Sequence, residues 1–143
     1  MTVRAMLSRK GSDVITIAPT ATLSEAVDLL SKNRIGAVVV TGADHRVAGI
    51  LSERDIVRAL SERGPAMLSE NVAAVMTRKV MTCTSADTVS SVMERMTAGK
   101  FRHLPVVEQG KLIGVISIGD VVKSHVEEIE HETEALREYI ATA

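Results

Sequence analysis

Gly49-Ile50-Leu51-Ser52-Glu53-Arg54-Asp55-Ile56-Val57-Arg58 aligns without a gap onto Gly114-Val115-Ile116-Ser117-Ile118-Gly119-Asp120-Val121-Val122-Lys123. In each stretch an apolar run opened by glycine gives way to Ser-x-x-Asp and then to a helical pattern. Upstream of the two stretches the match continues. Ala37 to Val40 and Val47 to Leu51 read as paired strands, as do Leu104 to Val107 and Leu112 to Ile116. Gly42-Ala43-Asp44 and Gln109-Gly110 join them, residues that tolerate the positive φ of hairpin turns. Further upstream, Leu23, Ala26, Val27, Leu30 and Val89, Val92, Met93, Met96 keep the i, i+3, i+4, i+7 spacing of a helix. Short apolar segments, Val14 to Thr16 and Val80 to Thr82, precede those helices, and Val3, Met6, Leu7 match Val72, Val75, Met76 before them. The chain is thus one supersecondary unit, strand, helix, strand, strand, helix, used twice.

A unit of about 60 residues cannot bury a comfortable core alone, so the two copies must pack together. The reading is an α+β, sandwich-like fold: repeat 1 over 2–60, a surface linker over 61–70 marked by Gly64-Pro65, and repeat 2 over 71–124. An extra C-terminal helix follows over 125–143, with Val126, Ile129, Thr133, Leu136 and Ile140 on one face. It is too short for an independent coiled coil and is expected to dock on the body or pair with the same helix of a second subunit.

Composition narrows the function classes. Of 143 residues, 45% are hydrophobic and 24% charged, and 17 Lys and Arg against 18 Asp and Glu leave a net charge of -1. No global field therefore draws the chain to nucleic acid or to an acidic membrane. One Phe, one Tyr and no Trp supply no stacking platform for single-stranded nucleic acid. Arg4, Arg9 and Lys10 interrupt any signal-peptide pattern, and one cysteine, Cys83, excludes a disulfide framework and any CxxC motif. Both point to a cytoplasmic protein.

Ser-x-x-Asp has two readings. Ser followed three residues later by an acid is a helix-capping box worth roughly 1 kcal/mol, with no ligand needed. A helix N-terminus beside a serine hydroxyl also suits a phosphate. The carboxylate of the same turn suits the vicinal hydroxyls of a ribose, so the pair is matched to a nucleotide.

The doubled Gly-hydrophobic-x-Ser-x-x-Asp after a hairpin, with Arg102-His103-Leu104-Pro105-Val106 before the second hairpin, resembles a tandem CBS domain pair, or Bateman module, over roughly residues 2 to 125. The resemblance implies repeats that each hold a small three-stranded sheet with two helices, related by pseudo-two-fold symmetry and leaving two clefts for adenosine-containing ligands. Carried over, Asp55 and Asp120 would bind ribose. Ser52, Ser117, Arg102, His103 and Lys79 would meet phosphate. Thr16, Ile17, Ala37, Val80, Thr82, Leu104, Pro105 and Ile118 would surround the nucleoside. Setting His103-Leu104-Pro105 against Gly36-Ala37-Val38 makes copy 1 the less typical, and Gly119 leaves room beside Asp120, so the Asp120 cleft is expected to be the better one.

Other constellations carry less. His45, His103, His125 and His131 include no i, i+4 pair, so no metal site is expected. Cys83 and the methionines suit core packing, and the basic doublets Arg9-Lys10 and Arg78-Lys79 suit a solvated helix end. No nucleophile with a tuning partner is present, so the chain is not read as an enzyme. The leading reading is a regulatory module, working as a homodimer, that binds an adenine nucleotide (AMP, ADP, ATP or NAD(H)) and signals energy or redox state to a protein partner in trans. The alternative is a ligand-free dimeric interaction scaffold in which the Ser/Asp pairs only cap helices.

Overall fold

The computed structural model describes residues 1–11 and 13–142; the side chain of Lys10, half of one basic doublet, is also outside the described residues. In chain order the elements are α1 (Val3–Lys10), β1 (Thr16–Ile17), α2 (Leu23–Asn33), β2 (Ala37–Thr41), β3 (Val47–Ser52), α3 (Glu53–Arg63), α4 (Val89–Gly99), β4 (His103–Glu108), β5 (Lys111–Ser117) and α5 (Ile118–Thr142). Short 3-10 turns occupy Pro65–Ser69 and Val72–Ala74. Each hairpin is antiparallel, and β1 joins β2 in parallel to give the order β1-β2-β3. The tight turn at Gln109 and Gly110 takes φ of 52° and 79°; in the first hairpin the positive φ falls on Asp44 and His45 rather than on Gly42.

Two apolar cores form, and neither follows the sequence repeats. Val3, Met6 and Leu7 of α1 pack into the second core with Val89, Val92, Met96, Leu104, Val106, Ile116 and Val121. Met67, Val72 and Met76 pack into the first with Leu23, Leu30, Val38, Val40 and Leu51. The exchange is symmetric in its hydrogen bonds. Val3 N–H donates to Asp87 O at 2.9 Å as Val72 N–H donates to Ala21 O at 2.8 Å, and Val89 N–H donates to Met1 O as Leu23 N–H donates to Glu70 O. Each lead-in thus completes the core of the other repeat, a physical reason the two units cannot separate. The repeated glycines make room for this crossing. A Cβ on Gly49 would lie 2.8 Å from Thr77 O, and one on Gly114 2.8 Å from Leu7 Cδ2.

The structure departs from the sequence reading in four places. The second sheet keeps only β4-β5; its third strand shrinks to a single parallel bridge, Cys83 to Val106. In the first sheet Thr16 pairs with Val39 and Ile17 with Val40. The position matching Val39 is Pro105, which has no N–H to give, so the ladder cannot run back through Thr82. The register also corrects the alignment: Ala37 faces Ser52 as His103 faces Ser117, and Glu53 N–H donates to Gly36 O as Ile118 N–H donates to Arg102 O. His103 therefore corresponds to Ala37, and Arg102 to Gly36. Apolar runs fit equally well one residue out, and strand pairing decides.

Thirdly, the C-terminal helix is the unbroken continuation of the second-repeat helix, α5, which starts at Ile118. Fourthly, 61–70 is more than a surface connection, because α3 runs on to Arg63 and Met67 is buried in the first core. Among the described residues no helix is long and apolar enough to cross a membrane.

Candidate functional site

A cavity of about 440 Å³ opens between the repeats. One wall is the end of β3 and first turn of α3, with Ile50, Ser52, Glu53 and Asp55, next to the start of β2 at Gly36 and Ala37. The other belongs to the second repeat: Lys79, Val80 and Met81 from its lead-in, and Lys100, Phe101, Arg102 and His103 leading into β4. Gly36 keeps the floor open, since a Cβ there would meet Glu53 Oε1 at 2.8 Å and His103 Cε1 at 3.7 Å.

Ser52 and Asp55 are held by local chemistry. Ser52 N–H donates to Asp55 Oδ2 at 3.0 Å and Asp55 N–H donates to Ser52 Oγ at 3.2 Å, a complete capping box at the N-terminus of α3. The box does not use up either group. The Ser52 hydroxyl still has its proton to donate, and Asp55 Oδ1, 3.9 Å from Arg58, keeps acceptor capacity. Lys79, Lys100, Arg102 and Arg54 surround the cavity against the carboxylates of Glu53 and Asp55. The site can therefore hold a ligand that offers hydroxyls at one end and negative charge at the other.

Of the residues singled out from sequence, Ala37, Ser52, Asp55, Lys79, Val80, Arg102 and His103 come together here. Thr16, Ile17, Thr82, Leu104, Pro105, Ser117, Ile118 and Asp120 do not line this cavity. For Leu104 the reason is strand alternation, which sends it with Val106 into the second core. Ile17 packs against the first core and Ile118 against the second. Thr82 is exposed, with its carbonyl accepting from Arg95 at 2.7 Å. Sequence reasoning missed Gly36, Ile50, Glu53, Arg54, Thr77, Met81, Lys100 and Phe101. Lys100 was findable: it is a basic helix C-cap in the left-handed region, as Arg34 is in the first repeat.

Ser117 and Asp120 form the same box, at 3.0 and 3.1 Å. The first-repeat counterparts of Arg102 and His103 are the uncharged Gly36 and Ala37. Arg102 and His103, read from sequence as belonging with Asp120, also line the cavity that holds Asp55, while His103 faces Ser117 across the β4-β5 pair.

Elsewhere, burial above all, helped by Asp87, pushes the Cys83 thiol up to about 11. Hydrogen bonds from the Ser85 hydroxyl and amide hold Glu108 below the usual carboxylate range, and Arg4 reaches the Ser85 hydroxyl at 3.2 Å. Among the described residues no three His, Cys, Asp or Glu side chains gather as a metal site.

Comparison with known proteins defines the class. The CBS domain matches residues 3–62 and 72–127. A CBS-domain containing protein from Agrobacterium tumefaciens shares 48% identity at a TM-score of 0.83, over 87% of this chain and 99% of that one. A CBS domain protein from Pyrobaculum aerophilum, solved in complex with AMP, shares 32% identity at a TM-score of 0.75, over 84% and 89% of the two chains. The mitochondrial CBS domain-containing protein CBSX3 of Arabidopsis thaliana is 37% identical over 123 residues, covering 83% of this chain and 60% of that protein. The chain belongs to the CBS domain family and carries two copies of the domain.

Proposed function

We propose that the Asp55 cavity binds an adenine nucleotide, AMP, ADP, ATP or NAD(H), and that occupancy regulates a protein partner in trans. The observation that carries this reading is the meeting, in one cavity, of Ser52 and Asp55 with Lys79, Arg102 and His103 of the other repeat. Asp55 takes the ribose hydroxyls, Ser52 and the cations take phosphate, and Ala37, Ile50 and Val80 give the base an apolar bed. The AMP complex of the Pyrobaculum aerophilum relative supports this ligand class. Because both repeats build the walls, a ligand that prefers one spacing of the repeats shifts the module towards it, and only through that difference in affinity. Signalling of energy or redox state, a homodimeric working unit and a reducing, cytoplasmic setting complete the reading.

Calorimetric titration of nucleotide-free protein with adenosine, AMP and ATP tests it. Phosphorylated ligands should bind more tightly than adenosine and lose that advantage in Arg102→Ala. Absence of binding by every adenine nucleotide overturns the proposal.

A second reading has an observation of its own: both Ser/Asp pairs are complete capping boxes without any ligand. On that reading the module is a dimeric scaffold, and removing Asp55 changes stability alone.

A further inference from the structure

A second hollow, of about 460 Å³, lies between α2 and α3 of the first repeat and shares two wall residues, Gly36 and Glu53, with the cavity that holds Asp55. Val27, Leu30, Ile35, Ile56 and Val57 make it mostly apolar. Leu30 is buried, and Ile35 and Ile56 pack against the first core, so their place there follows from core packing. Val27 and Val57 differ, being 37% and 65% exposed. Glu53 is pinned at the junction of the two hollows. Its N–H donates to Gly36 O at 2.9 Å, and its side chain lies back over Gly36, where a Cβ would meet Oε1 at 2.8 Å. Only two residues separate Glu53 from Asp55 in the first turn of α3, a spacing that turns side chains away from each other, and Glu53 alone of the two reaches the second hollow. Ile118 stands at the matching position of the second repeat, so the acid belongs to this junction alone.

The charges say how much phosphate fits. Arg54, Lys79, Lys100 and Arg102 line the first cavity against the carboxylates of Glu53 and Asp55, four cations to two anions before His103 is counted. Among the described residues none of the four cations, nor Glu53, makes an ion pair. A diphosphate bridge, with one negative charge on each phosphorus, cancels that excess, and a triphosphate overshoots it. AMP cancels it too but leaves the second hollow and the Glu53 carboxylate unused. We propose that the two hollows are one bipartite site for a dinucleotide joined through a diphosphate. The AMP half occupies the Asp55 cavity and the bridge meets the cations. The second nucleoside enters the hollow between α2 and α3, its ribose hydroxyls on the Glu53 carboxylate and its ring on Val27, Ile56 and Val57. The proposal rests on the adenine-nucleotide reading given above and narrows its ligand.

The test is calorimetric titration of the nucleotide-free full chain with NAD, ADP-ribose and AMP, on wild type, Glu53→Gln and Val57→Asp. NAD should bind about ten- to a hundredfold more tightly than AMP, the worth of one or two charge-assisted hydrogen bonds, with ADP-ribose between them. Glu53→Gln should cut the ratio of NAD to AMP affinity by about tenfold. Val57→Asp should bring NAD down to the level of ADP-ribose. Both positions are exposed, so both variants should fold, which far-ultraviolet circular dichroism checks. NAD no tighter than AMP, or a ratio that either variant leaves unchanged, overturns the bipartite site, while binding of AMP leaves the adenine-nucleotide reading standing. A Val57→Asp variant that changes the sedimentation of the chain and keeps the ratio gives the hollow to a second copy and overturns the proposal in the same way. No binding by any of the three ligands overturns both.

Discussion

Asp55 and His103, 48 positions apart in the sequence and on different repeats, line one cavity, where a Cβ on Gly36 would meet both Glu53 Oε1 at 2.8 Å and His103 Cε1 at 3.7 Å. Of the side chains lining that cavity, the acid Asp55 comes from one copy and Arg102 and His103 from the other. On the proposed function, a ligand in a cavity walled by both repeats would favour one spacing of them over another.

The capping boxes give the first prediction. Ser52→Ala and Ser117→Ala each remove an N-cap acceptor and should each lower unfolding free energy by about 1 kcal/mol, measured by urea denaturation. Similar losses at both sites are expected, because the two boxes have the same geometry.

The crossing of the lead-in over β3 gives the second. Gly49→Ala would press a methyl to 2.7 Å from Met76 Sδ and 2.8 Å from the Thr77 carbonyl, whose backbone is bonded to Ile50 and cannot yield cheaply. A loss of about 1 to 3 kcal/mol is expected. Gly42→Ala is the control: φ is -93° and nothing lies within 4 Å of the new methyl, so the thermal midpoint should barely move.

Cys83 should be silent as a thiol. Buried, and with its pKa raised to about 11, it should not react with Ellman's reagent in native protein at pH 8 and should react once unfolded. A pKa raised by folding favours the protonated form in the native state. Its contribution is complete below the unfolded value near 9 and is lost as pH rises through 9 towards 11. Wild-type protein should therefore lose stability over that window faster than Cys83→Ala does.

Glu108 should titrate below an ordinary glutamate because Ser85 donates to it twice. Its depressed pKa adds stability above the unfolded value near 4.5, and that stability fades as pH falls through the folded value. Removing the hydroxyl in Ser85→Ala should raise the carboxyl titration towards 4.5, read by carbon-detected NMR.

The duplicated order of elements was legible because Ser-x-x-Asp and the helical spacings repeat nearly in step, and Ser52 and Asp55 were legible for the same reason. Three features were not. Local pattern cannot show that α1 and Met67 to Met76 trade places between cores, since either core accepts the same apolar residues. Nor could it show that Pro105 breaks the third strand of the second sheet, which depends on the direction of each ladder donor. Nor could it show that Arg102 and His103 share a cavity with Asp55, because the two motifs lie on different repeats and sequence lists them apart.

Thermal unfolding of nucleotide-free protein with and without AMP, ADP, ATP and NAD, on wild type, Asp55→Ala and Asp120→Ala, tests the central claim most directly. Ligand at 100 times its dissociation constant should stabilise wild type by about 2.7 kcal/mol, a rise of several degrees, and Asp120→Ala should keep most of that rise. Asp55→Ala should lose it. A rise that survives in Asp55→Ala, or no rise with any of the four nucleotides, would contradict the account.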